Sequence, residues 1–191
     1  MSSLSLLEFC KLIGKLKHLK RTGWVLRDII EPETVASHMY RMALLTFALK
    51  PEEGIDQVKC MKMSLVHDLA ESIVGDITPH CGVTEDDKHE REKKAIHDIA
   101  ELLPEVSREE IIKLFMEYES QSTLEAKLVK DFDKFDMIMQ AYEYETSKCE
   151  LGKLEEFFTS TRGKFTNEQV KEWVKALEDE RNKNMKKLNT Q

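Results

Sequence analysis

The chain has 191 residues, of which 41% are apolar and 34% charged. That balance argues against a disordered or membrane-embedded protein and is enough for one domain with a substantial core. The formal charge is −7 and no lysine or arginine cluster forms a broad patch, which argues against a nucleic-acid polymer as partner, because neutralising a phosphate backbone takes concentrated basic charge. A small phosphorylated ligand, which needs one or two basic groups, stays open. Cys10, Cys60, Cys81 and Cys149 include no C-x-x-C pair and are expected to be reduced thiols. With no cleavable leader and no run of membrane-spanning length, the expected address is the cytoplasm, or else the nucleus, with no membrane contact.

Seven glycines and four prolines leave room for long helices, and the apolar pattern is helical nearly throughout. Leu6, Cys10, Ile13 and Leu16 to Leu19 predict a first helix of about four turns. An irregular segment from Arg21 to Glu33, with Gly23 and Pro32, leads to a second helix beginning near Thr34, running through His38, Met42 and Leu45 and stopping before Pro51. A third is predicted from about Asp56 to Ser72, carrying Met61, Leu65, Leu69 and the pair His67-Asp68. Gly75-Asp-Ile-Thr-Pro79 reads as a loop, because Pro79 disfavours helical geometry at Thr78. Further helix starts are marked by Thr84 with Asp87 and by the capping-box patterns Ser107–Glu110 and Thr166–Gln169. Leu124, Leu128, Phe132, Phe135 and Met139 give one long helix between Thr123 and Tyr144, and Val170, Trp173, Val174 and Leu177 a last one before a polar, lysine-bearing tail. No alternation is long enough for a strand. The expected fold is all-α, a single helical bundle over residues 1–191 with its core at about 6–180.

Six histidines, at 18, 38, 67, 80, 89 and 97, are candidates for chemistry. His67-Asp68 stands out through its neighbours. Imidazole nitrogen and carboxylate oxygen together suit borderline divalent metals such as Mn, Fe, Co, Ni or Zn. Side chains one position apart on a helix diverge by roughly 100°, so both reach one ion only if the helix passes it tangentially. Glu71, four residues after His67 and three after Asp68, shares their face, and Asp76 follows in the loop. A second adjacent pair, His97-Asp98, lies in a densely charged stretch with no acid-bearing loop after it and reads as a solvated face. The dipeptide alone is therefore weak evidence.

The wider pattern resembles the HD-domain phosphohydrolase superfamily over nearly the whole chain. Glu33-Thr-Val-Ala-Ser-His38 is similar to the family's first metal-histidine motif and Leu65-Val-His-Asp-Leu-Ala-Glu-Ser72 to its defining pair with the downstream glutamate. Gly75-Asp-Ile-Thr78 is similar to the substrate-side loop, and Leu128-Val-Lys-Asp-Phe-Asp133 to the distal segment that ends in the last aspartate ligand. Within the superfamily the resemblance is to the 5′-deoxynucleotidases. It implies His38, His67, Asp68 and Asp133 as metal ligands, with Asp131 and Asp136 competing for the distal place. It implies Glu71 as the proton-handling group, with Asp76 assisting it or holding the sugar. Alternatively Glu71, Asp76 and the Ile77 carbonyl bind a second ion such as Mg²⁺. It implies substrate contacts from Arg21, Trp24, Asp76, Ile77 and Thr78. The family usually has the arginine and tryptophan adjacent, whereas Thr22-Gly23 separates them here, which makes Arg27 a substitute for Arg21. Trp24 also reads as an ordinary core anchor. Relatives often carry an acid where this chain has Ser37, which bears on hydrogen bonding to His38.

The resemblance further implies a transition-metal cofactor such as Mn²⁺ or Co²⁺, a deoxyribonucleoside 5′-monophosphate substrate and a homodimer. Two alternatives stand beside this reading. One is an enzyme of the same superfamily acting on a cyclic, triphosphate or alarmone nucleotide; few basic residues near the motifs count against a triphosphate. The other is a non-catalytic metal- or nucleotide-binding helical module, against which Glu71 and Asp76 count.

Overall fold

A computed structural model describes residues 1–50, 54–148 and 150–188. Pro51, Cys149 and the end of the polar tail lie outside the described residues. Among the described residues ten α-helices run in chain order: α1 Ser3–Leu16, α2 Thr22–Val25, α3 Val35–Leu45, α4 Gln57–Ser64, α5 Glu71–Val74, α6 Glu85–Ala100, α7 Glu105–Ser120, α8 Leu124–Ser147, α9 Glu155–Thr161 and α10 Glu168–Leu188. Two 3₁₀ turns, Thr46–Ala48 and Pro79–Cys81, join them. Among the described residues there is no strand, only an isolated bridge between Lys20 and Thr34, and no helix long and apolar enough to cross a membrane.

The helix starts follow from their caps. The side chains of Ser2, Thr34, Thr84 and Thr123 accept from the backbone N–H groups of Ser5, Ser37, Asp87 and Ala126, satisfying donors that the first helical turn leaves free. α8 is the central post and packs on α3, α4, α7, α9 and α10. Its Leu128, Phe132 and Ile138 join Met42, Met63, Ile99 and Phe115 in one buried cluster. Every one of these side chains is nearly solvent-free, and burying each stabilises the fold by roughly 1.5–3 kcal/mol before the entropic cost. Trp173 stacks on Phe132 with ring centroids 6.1 Å apart, which makes it part of the same packing.

Three expectations need correction. The predicted third helix is two: α4 ends at Ser64, and α5 begins at Glu71. Between them the N–H groups of Val66, Leu69 and Glu71 bond three residues back, to Met63, Val66 and Asp68. That tighter winding turns the chain faster than an α-helix does and presents His67 and Asp68 from a turn rather than from a continuous face. α7 begins at Glu105, directly after Pro104, whose fixed φ suits a helix boundary; Ser107 is therefore inside the helix and caps nothing. At α10 the cap is Asn167, whose Oδ1 accepts from the Gln169 and Val170 N–H groups at 2.9 and 3.2 Å. Gln169 instead clasps Lys50 N–H and Ala48 C=O.

Candidate metal centre and active site

The cap at Thr34 sets the register of α3 and turns His38 inward, fully buried. Its Nδ1 donates to Asp136 Oδ2 at 2.6 Å, and Arg41 Nε donates to the other oxygen of that carboxylate. With Nδ1 committed to Asp136, Nε2 is the nitrogen that His38 has left for an ion, as a lone pair once the ring is neutral. His67 reaches the same state by another route: its Nδ1 donates to the Ser64 carbonyl at 2.9 Å. A carbonyl can only accept, so Nδ1 is the donor and Nε2 is the nitrogen left to face an ion. Both Nε2 atoms are buried without a hydrogen-bond partner.

These two nitrogens face two carboxylates. Asp68 Oδ2 lies 3.2 Å from His67 Nε2 and 3.8 Å from His38 Nε2, and Asp133 Oδ1 lies 3.3 Å from His38 Nε2. Donor atoms of His38, His67 and Asp133 all fall within 4.8 Å of one another. Two orphaned buried imidazole nitrogens converging with two carboxylates fit a divalent ion of the borderline class. A second trio, Glu33, His38 and Asp136, is engaged otherwise, since Glu33 accepts from Trp24 Nε1 at 2.9 Å and Asp136 from Arg41.

The three acids of α8 separate by geometry. Asp133 points to the histidines and also accepts from Tyr118 Oη and Lys130 Nζ, both at 2.9 Å. Asp136 supports His38 from behind. Asp131 faces α10 and accepts from the N–H groups of Thr166 and Asn167, both at 2.7 Å. The sequence-level concern over Ser37 falls away, because Ser37 pairs with Thr34 at the α3 cap and Asp136 supplies the partner for His38.

Charge is concentrated here in a dry setting. Burial pushes Glu71 up well above the usual carboxylate range, and Asp68 and Asp76 push the same way; its Oε2 has no partner. Burial acts in the same direction on Asp68, but His67, His38 and Arg21 outweigh it and hold Asp68 well below the usual range. Asp133 is likewise held well below, with burial overcome by Lys130, His38 and His67.

Arg21 belongs to this centre. It precedes α2, and its guanidinium lies 3.4 Å from Asp68 Oδ2 and 4.0 Å from Asp133 Oδ1. The two-residue spacer before Trp24 does not carry it away, because Thr22 opens α2. There the Thr22 N–H donates to Asp76 Oδ2 at 2.6 Å and its hydroxyl to the Asp76 carbonyl at 2.7 Å, tying α2 to the 75–81 loop. Gly75 makes that loop possible with φ +80°. Arg27 is not beside the acids: it pairs with Glu156 through two 2.8 Å bonds. Trp24, expected as a substrate platform, is 1% exposed. Tyr144 meets its ring edge-on at 5.3 Å and Phe157 at 4.5 Å, so it is a core anchor with an edge on the site. Ile77 is buried and Thr78 half-buried, its N–H facing Cys81 Sγ. Glu71 and Asp76 join no three-donor cluster of side chains among the described residues. His97 and Asp98 are exposed on α6, as expected of a solvated face.

A cavity of about 360 Å³ leads outward from Arg21 and Asp76, with Trp24, Thr78, Met137 and Phe157 among its walls. Another of about 380 Å³ shares Thr78 and Pro79 with it, but there Glu85, Asp86, Glu92 and Glu119 outnumber Lys88 and His89, a balance that disfavours a phosphate monoester. Sequence reasoning missed Glu33 as a partner of Trp24, Arg41 as a partner of Asp136, and Tyr118 and Lys130 as partners of Asp133. Two of these left a trace: Lys130–Asp133 and His38–Arg41 are three residues apart on their helices, a spacing that places side chains together. Tyr118 comes from another helix and left none.

Comparison with known proteins agrees with this geometry. A family model described as HD domain matches residues 13–173. The 5′-deoxynucleotidase HDDC2 of Homo sapiens is 45% identical over 181 residues, covering 95% of this chain and 88% of that protein. The 5′-deoxynucleotidase HDDC2 of Dictyostelium discoideum is 50% identical over 185 residues, covering 92% and 97%. A solved structure from Magnetospirillum magnetotacticum, described as a predicted metal-dependent phosphohydrolase, superposes with a TM-score of 0.70 at 28% identity, covering 95% of each chain. With an all-helical bundle, the His67-Asp68 pair on a turn beside His38, and a family match spanning most of its length, the chain belongs to the HD-domain family.

Proposed function

We propose that the protein is a metal-dependent 5′-deoxynucleotidase that hydrolyses deoxyribonucleoside 5′-monophosphates to deoxyribonucleosides and phosphate. The observation that carries this reading is the pair of orphaned Nε2 atoms facing Asp68 and Asp133, with Arg21 beside them at the inner end of a cavity. His38, His67, Asp68 and Asp133 would hold the ion, Mn²⁺ or Co²⁺ or another transition metal. Such an ion offsets phosphoryl charge and makes water more acidic.

The chain's own residues account for the rest. Arg21 offers its guanidinium fork to the phosphate, a geometry suited to two parallel charge-assisted bonds. Glu71, buried with an unpartnered oxygen, is placed to take a proton from the attacking water as the P–O5′ bond breaks, and the departing 5′ oxygen takes one from solvent. Asp76 holds α2 and thus Arg21 in register, and its free capacity serves the sugar side with Ile77 and Thr78. In a two-ion variant of this reading, Glu71, Asp76 and the Ile77 carbonyl hold Mg²⁺ instead. We take residues 1–191 as one domain, acting in the cytoplasm as a homodimer.

The test is a metal-by-substrate screen. With Co²⁺ or Mn²⁺, the purified protein should release phosphate from dAMP or dGMP faster than from the matching ribonucleotides. Release from no monophosphate under those conditions would overturn the proposal.

A further inference from the structure

The cavity beyond Arg21 has a second, chemically different end. There α9 contributes Glu156 and Phe157, and Arg27 and Pro79 line the cavity with them. Three flat groups follow one another along this wall. Trp24 meets Phe157 with ring centroids 4.5 Å apart, and the Arg27 guanidinium lies over the Phe157 ring at 5.4 Å. Glu156 grips that guanidinium through two bonds, Nε to Oε1 and an Nη2 to Oε2, each 2.8 Å, which fixes its plane. The bidentate pairing also offsets its charge, so Arg27 is poorly suited to hold a phosphate, which Arg21 already faces from the inner end.

A guanidinium with its plane fixed and its charge paired is a stacking surface for a nucleobase. We infer that Arg27, held by Glu156 on the Phe157 ring, is the residue that recognises the base, so that the cavity takes a nucleoside 5′-phosphate with phosphate at Arg21 and base at Arg27. This inference rests on the nucleotidase reading above and adds a specificity-determining residue to it. The stack is preorganised in the free protein, so little ordering cost falls on binding.

The test compares dAMP with 2-deoxyribose 5-phosphate, which has the phosphate and sugar but no base. In Arg27→Leu, the ratio of kcat/KM for dAMP to that for 2-deoxyribose 5-phosphate should fall roughly 5- to 100-fold, the range that alanine substitution gives for stacked bases. The loss should appear in KM. Arg27→Lys keeps a cation for Glu156 but has no plane, so it should lose the ratio as well; a lysine variant with wild-type KM for dAMP would overturn the inference. So would equal losses on both substrates, which would make Arg27 a phosphate or folding residue, and so would an unchanged ratio. Calorimetric binding of deoxyadenosine to the same proteins needs neither phosphate nor turnover. It should weaken in both variants even if no monophosphate is hydrolysed, which separates failure of this inference from failure of the nucleotidase reading.

Discussion

Metal binding should expel a proton from His38. In the metal-free protein burial opposes protonation of this ring and so does Arg21, but the Asp133 and Asp136 carboxylates outweigh them and push it up from 6.5 to about 9. Ligation through Nε2 requires the neutral ring. A single displaced proton makes apparent affinity rise about tenfold per pH unit well below the pKa, so about 50-fold between pH 7 and 9, and level off above that. Calorimetric titration of Mn²⁺ into the chelated protein, in two buffers of different ionisation enthalpy, counts the protons released at each pH. Close to one is expected at pH 7.5. The Asp136→Asn variant, lacking one of the two carboxylates, should shift the window to lower pH and release fewer. The same shift stabilises the metal-free fold. Because the folded pKa lies above the unfolded one, that contribution, about 3 kcal/mol, is complete below about pH 6.5 and is lost as pH rises through about 9. Affinity that stays flat from pH 7 to 9, with no proton released, would refute this account of His38.

Other substitutions probe the remaining parts. Arg21→Lys replaces a fork that lies between Asp68 and Asp133 with a point charge. At about 1.5–3 kcal/mol for a hydrogen bond to a charged group, kcat/KM for dAMP should drop roughly 10- to 100-fold; a change in melting temperature alone would make Arg21 structural. Glu71→Gln should keep metal content by elemental analysis while kcat falls roughly 10²- to 10⁴-fold, and equal metal loss would reassign Glu71 as a ligand. His97→Ala is the control on the exposed pair and should alter neither. Arg181, 4% exposed, pairs with buried Glu145 through Nε at 2.7 Å, so Arg181→Met should cost about 3–5 kcal/mol by stranding that carboxylate. That would be seen as a drop of roughly ten degrees in Tm.

Much of the helical layout was legible in sequence because it depends on local forces. Apolar periodicity and the Thr34, Thr84 and Thr123 caps act within a turn or two of chain, and the motif around His67 placed the centre. What sequence could not decide was which face meets which partner. Asp131, Asp133 and Asp136 lie on one helix, and stepping from the first to the second rotates the side chain by roughly 200°. Only the packing of α3 and α10 against α8 sends Asp131 to α10 and Asp133 and Asp136 to the two nitrogens of His38. Arg21 and Arg27 are a second case. Both precede α3 by similar distances, yet the Thr22–Asp76 bonds draw one to the acids, while Glu156, 129 residues on from Arg27, holds the other at the rim. The pair His67-Asp68 is the third. Its residue types were plain in the sequence, but their shared aim comes from the tightened turn between α4 and α5, a backbone choice that tertiary packing imposes on a segment whose own pattern favours continuous helix.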